Sequence, residues 1–245
     1  MSYRTGIEWT DATWNPVIGC TKISIGCENC YAQKLAERFR GVAGHPFERG
    51  FDLRLVPQKL HEPLDWKSPR RVFVCSMSDL FHESIPLSYI HQVFQTMARA
   101  RWHTFQVLTK RSTRMAQLSS ELPWPSNAWV GATIESAAYI DRAHDIQAVP
   151  AAVRFISLEP LLGPIPRMPL EGIDWVIVGG ESGPHARPLD LDWVRSIRDQ
   201  CLESGVAFFF KQLGGRQNKR GREQATLDGR QWHQFPRLKT IAAMT

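Results

Sequence analysis

Seven short β-rich runs recur along this chain, each closing on a polar or charged residue and each followed by a helical or loop segment. They are TWNPVIGC to Cys20, RVFVCSMSD to Asp79, TFQVLTKR to Lys110 and Arg111, AWVGATIE to Glu135, VRFISLE to Glu159, DWVIVGGE to Glu181, and VAFFFKQ to Lys211 and Gln212. The first run is the weakest. The others are almost continuously apolar, the pattern of parallel strands buried on both faces. Helical stretches are predicted between them at Cys30–Phe39, Pro86–Ala100, Ser112–Leu122, Ser136–Ile146 and Leu191–Glu203. In the second of these, Ile90, Val93, Phe94 and Met97 form one stripe behind the start signals Ser84 and Pro86. Gly205 supplies a stop for the last. This alternation predicts an α/β fold of parallel strands: a (β/α) barrel, complete or partial, over residues 1–213, with a doubly wound open sheet as the alternative. Residues 214–245 read as a basic C-terminal extension packing on the barrel. In either architecture ligands bind at the C-terminal strand ends, where the polar residues fall.

Three of the five cysteines crowd into GCTKISIGCENCYA, as Cys20, Cys27 and Cys30. That crowding suits metal binding in a reducing compartment better than a disulfide framework. A closed zinc site needs four protein ligands, so zinc would require Cys75, a histidine or a carboxylate as the fourth. An iron–sulfur cube on three thiolates keeps one iron open for a small molecule. Gly19 and Gly26 let the backbone fold closely around such a group. No apolar run reaches the length of a membrane span, and the first residues do not read as a signal peptide, so a cytoplasmic protein without a membrane partner is expected. The formal charge is +6, and part of the excess sits in KQLGGRQNKRGREQ. A basic balance favours anionic partners such as DNA, RNA or a nucleotide. Trp232, in LDGRQWHQFP, is available for stacking.

The run Cys27-Glu28-Asn29-Cys30-Tyr31-Ala32 resembles the cluster loop of radical S-adenosylmethionine (SAM) enzymes. The wider chain resembles the gene-product 37/68 phage-protein family through IEWTDATWNPVIGC, GCENCYA, SMSDLFHE, VRFISLEPLLGP, DWVIVGGESGPHARP and FFFKQLGG. The first resemblance implies a [4Fe–4S] cluster on Cys20, Cys27 and Cys30, SAM bound at its open iron, and reductive cleavage of SAM by an external electron donor. The first gap between cysteines, six residues, is longer than the superfamily's usual one, and Asn29 stands where an aromatic or aliphatic residue is usual.

The remaining SAM contacts follow from charge. Asp79 suits the methionyl ammonium, and Lys110 or Arg111 its carboxylate. Glu135 and Ser136 suit the ribose, and the backbone of Asn29 the adenine. Glu181, in a Gly-Gly-Glu run, lies on the sixth strand rather than the second and could line the substrate face. Cys75, Glu159 and Lys211 are the catalytic candidates. For Cys75 the other reading is a buried structural cysteine, and for Glu159 and Lys211 an ion pair across the barrel. His82 and His185 lie beside strand-end motifs and could serve in acid–base work. The leading function is radical SAM chemistry on a nucleic-acid-related substrate, in base modification or repair. The alternatives are a metal- or cluster-stabilised nucleic-acid-binding protein, and a SAM-independent iron–sulfur enzyme.

Overall fold

The computed structural model describes residues 5–215 and 225–237. Seven parallel strands form one sheet: β1 (Ala12–Trp14), β4 (Arg71–Val74), β5 (Thr104–Thr109), β6 (Ala128–Thr133), β7 (Val153–Leu158), β8 (Trp175–Gly179) and β9 (Ala207–Gln212). Their spatial order is their chain order, so the sheet has no switch point where the winding reverses. A doubly wound sheet requires such a reversal. The sheet curls instead into a half-barrel, with β1 and β9 as its unjoined ends. Four helices follow the strands: α2 (Leu87–Arg99), α3 (Ser112–Gln117), α4 (Asp141–Gln147) and α5 (Leu191–Glu203). α1 (Tyr31–Glu37) precedes them.

Alternation along each strand divides the apolar residues between two layers. Val72, Val74, Val176, Val178, Phe208 and Phe210 pack outward, in one core with helix residues such as Ile90, Phe94, Met115, Ile146 and Ile197. Phe73, Trp175, Ile177 and Phe209 point inward with Trp129, Phe155 and Trp9. Trp175 is the hub of the inner layer. Its ring centroid lies 6.3 Å from Trp9, 6.2 Å from Trp129, 5.8 Å from Phe155 and 5.1 Å from Phe235. Trp9 and Phe235 come from opposite ends of the chain and fill the barrel floor.

The first strand is shorter than the sequence suggests. Pro16, which lacks a backbone donor, separates β1 from β2 (Val17–Ile18), which pairs antiparallel with β3 (Arg54–Leu55). Cys20 thus lies in a loop beyond the sheet, although Gly19 still bridges Ser78 in parallel register. The predicted Ser112–Leu122 and Ser136–Ile146 helices each divide into a short α-helix and a 3₁₀ turn. Of the C-terminal extension, residues 214–215 and 225–237 are described. A small hairpin of β10 (Thr226–Leu227) and β11 (Arg230–Gln231) leads into His233, which bridges Phe209 on the β9 edge. Trp232 packs into the outer core with Phe208, so its ring is not a stacking platform for a base. Most of the basic run, residues 216–224, lies outside the described residues. Among the described residues no helix is long and apolar enough to cross a membrane.

Replacing Trp175 by Ala should cost about 3–5 kcal/mol of stability, because the inner layer cannot close over so large a void. Urea denaturation of the two proteins measures it. A loss below about 1 kcal/mol would show that Trp175 is not the hub.

Candidate metal centre

The loop from Cys20 to Cys30 crosses the mouth of the half-barrel, at the C-terminal strand ends. Gly19 has φ +87°, and a side chain there would overlap the backbone of Asp52. At Gly26 a Cβ would run into the carboxylate of Glu135. Both glycines are therefore needed for the close folding that the sequence suggests. Cys20, Cys27 and Cys30 line one cavity of about 210 Å³ together with Cys75, Asp79, Lys110, Arg111, Glu159 and Lys211. Burial pushes the Cys20 thiol up to about 11, helped by Asp79 and opposed by Arg111, whose Nη1 donates to its sulfur at 3.5 Å. Burial also works to raise the Cys27 thiol. The Ile23 backbone, the Ser24 hydroxyl and the charge of Lys110 outweigh it and leave the thiol lowered.

Asp79 fastens the loop from below. Its Oδ1 accepts from the Thr109 hydroxyl at 2.7 Å and the Phe81 amide at 3.0 Å, and its Oδ2 from the Lys110 amide at 3.0 Å. Arg111 lies 3.5 Å from the same carboxylate, pairs with Glu83 at 2.9 Å, and donates to the Thr21 carbonyl and hydroxyl. His82 accepts the Ser84 amide on Nδ1, so its Nε2 faces Thr21 as the donor at 2.9 Å. Burial, then the Arg111 charge, lowers its pKa and favours this neutral ring. The segment Ser76–Glu83 is thus a cradle, and His82 is held within it. His185 enters only through its carbonyl, which accepts from Asn29.

Two carboxylates expected to face SAM or substrate, Glu135 and Glu181, are taken up elsewhere. Glu135, fully buried, accepts from Ser24 and from Arg142 at 2.8 Å. Glu181 accepts from Arg187 through Nε at 3.0 Å and Nη2 at 2.6 Å, and from the Asn29 side chain at 3.0 Å. Burial works to raise the Glu181 carboxyl, but Arg187 holds it below the usual range. Glu135, Ser136, Asn29 and Glu181 do not line the cavity; Asp79, Lys110 and Arg111 do. Among the catalytic candidates, Glu159 and Lys211 make a 2.6 Å ion pair, and Glu159 also accepts from Trp9 at 3.2 Å and Ser157 at 3.1 Å. Cys75 is buried, with φ 61° and its thiol pushed up to about 12 by burial. Sequence reasoning missed Arg187, Arg142 and Tyr139, which bind the loop or its partners. The only signal for Arg187 was a cation close behind Glu181 in GESGPHARP.

Asp79→Ala removes the acceptor of two amides and one hydroxyl, and should cost about 1–3 kcal/mol while speeding exchange of the Lys110 amide. Thermal unfolding and hydrogen exchange test this together. Unchanged exchange at Lys110 would show that the cradle does not depend on Asp79.

No curated protein matches the chain. Among solved structures it is similar to a double mutant of spore photoproduct lyase with bound AdoMet and dinucleoside spore photoproduct. The identity is 10% and the TM-score 0.46, over 79% of this chain and 61% of that one. The chain thus spans less than two thirds of that protein's length. The family model described as "Protein of unknown function (DUF5131)" matches residues 4–236. With nearly its whole length matched, the chain belongs to the DUF5131 family.

Proposed function

We propose that this protein is a radical SAM-type iron–sulfur enzyme acting on a nucleic-acid-related substrate. The observation that carries the reading is three thiols, Cys20, Cys27 and Cys30, around one cavity at the C-terminal strand ends. The donor set is three thiols, the number that leaves one iron of a cube open for a small molecule. Among the described residues no group of three or more His, Cys, Asp or Glu side chains could hold one metal ion. When bound, such a cluster supplies the electron that cleaves SAM to a 5′-deoxyadenosyl radical.

The chain's own groups supply the rest. Lys110 Nζ lies 3.8 Å from Glu135, too far for a hydrogen bond, which leaves its donors for the methionyl carboxylate. Arg111 and Asp79 act beneath it, holding the Cys20 end of the loop and the Lys110 backbone. Glu159 and Lys211 offer one acceptor and one donor to a polar substrate, and Trp9 and Ser157 orient the carboxylate. The +6 formal charge supports an anionic substrate, nucleic acid or a nucleotide.

Anaerobic reconstitution with iron and sulfide should give a 4Fe–4S spectrum whose paramagnetic signal shifts on adding SAM. Reduction should then yield 5′-deoxyadenosine. Cys27→Ala should lose both the cluster and this product. Stoichiometric zinc without a cluster would overturn the proposal. In the reconstituted protein Lys110→Met should weaken SAM binding by roughly 10- to 100-fold, the loss of one charge-assisted hydrogen bond. Isothermal titration reads this, and an unchanged affinity removes Lys110 from the site. Binding to DNA or RNA should fall steeply with salt; no binding at low ionic strength removes the nucleic-acid part.

A further inference from the structure

The connection after β8 reaches across the mouth and grips the second half of the cysteine loop. Its base is rigid. The Gly180 amide donates to Gln212, the Gly215 amide to Glu181, the Gly183 amide to Gly215, and the Gln212 side chain to Gly180 and Ser182. From this base Arg187 donates to the Ile25 carbonyl at 2.9 Å and pairs with Glu28 at 3.0 Å. Asn29 donates to Glu181 and to the His185 carbonyl, each at 3.0 Å. Glu181 joins the two halves of the grip, because the same carboxylate accepts from Arg187 and from Asn29.

The loop has little else to hold this half. Ile23, Ile25 and Glu28 are exposed, so few apolar contacts oppose a local opening of the stretch before Cys30, whereas Cys30 itself packs beside Ala32, Ala36, Phe51 and Met77 at the start of α1. Ser24 and Gly26 rest on Glu135, and the Ile25 amide donates to Tyr139. Cys20, by contrast, is tied through Arg111 and Thr21 to the other side of the mouth. Neither Glu181 nor Arg187 lines the cavity, so both act on the thiols only through the loop.

We propose that residues 181–187 form a latch holding Cys27 and Cys30 in ligand position, with Glu181 and Arg187 as its positioning residues. The inference rests on the proposed function only where it takes Cys27 and Cys30 as ligands. The latch itself is made of contacts between residues of this chain alone, so it can be tested without a metal. Opening it releases two of the three thiols while the half-barrel and Cys20 stay in place, so cluster assembly and loss would pass through the latch.

The test uses the reduced, metal-free full chain, labelled with N-ethylmaleimide and followed at each cysteine by tandem mass spectrometry. Glu181→Gln and Arg187→Ala should each speed labelling of Cys27 and Cys30 roughly tenfold or more, the factor one charge-assisted hydrogen bond makes in an opening equilibrium. Cys20 should change by less than about twofold, and the buried Cys75 and Cys201 should not change, reporting an intact core. Arg187→Lys should fall between Arg187→Ala and the unmodified chain. Asn29→Ala, which alters the loop and leaves the latch intact, should act in the same direction and serves if a latch variant fails to fold. Unchanged rates at Cys27 and Cys30, or equal acceleration at Cys20, would overturn the latch. Because no metal is present, a working latch in a chain that takes up no cluster would overturn the proposed function alone.

Discussion

A carboxylate buried at the end of a strand must find donors or lose its charge, and Asp79 finds four. The Thr109 hydroxyl, the Phe81 and Lys110 amides and the Arg111 guanidinium converge on it. This one group joins the ends of β4 and β5, and through Arg111 it reaches Thr21 and Cys20. The position of the first thiol thus follows from the satisfaction of a buried charge. Glu135 and Glu181 repeat the device farther round the rim, each neutralised by an arginine and each touching the loop. Three carboxylates from alternate strand ends, after β4, β6 and β8, therefore brace a loop whose middle has few apolar contacts of its own.

The floor of the half-barrel depends on a different force. Its inner layer is aromatic and buried, with Trp175 surrounded by rings from three other strands, the N-terminal segment and the C-terminal segment. Trp9 belongs to both levels. Its ring packs on Phe73 in the floor, while its indole N–H holds Glu159 at the cavity. Dispersion and water exclusion set the lower half, and paired charge sets the upper half. The antiparallel bridge of His233 to Phe209 covers the β9 edge, which an open half-barrel would otherwise leave unpaired.

Much of the fold was legible because parallel strands write a local signature. Val72, Val74, Val176 and Val178 lie in runs that need burial on both faces, and the predicted α2 and α5 agree with the observed helices within two residues. The first strand was less legible, since Pro16 divides a run that reads continuously by composition. The polar strand ends were found, but their partners were not. Glu181 reads as a ligand-facing acid until Arg187 and Asn29 are seen to occupy it. His82 reads as a proton carrier until its ring is seen wedged between Ser84 and Thr21.

By itself the sequence determined the parallel α/β architecture, the strand ends as the working face, and the three cysteines there, because hydrophobic period and residue type act over a few positions of chain. Only the tertiary structure decided that the sheet is a half-barrel closed below by Trp9 and Phe235. Only it decided which charges face the cavity and which brace the loop. The reason is that an ion pair or a hydrogen bond is a relation between residues far apart in sequence, as Asn29 and Glu181 are. Two carboxylates alike in sequence acquire different roles from the donors that folding brings to them.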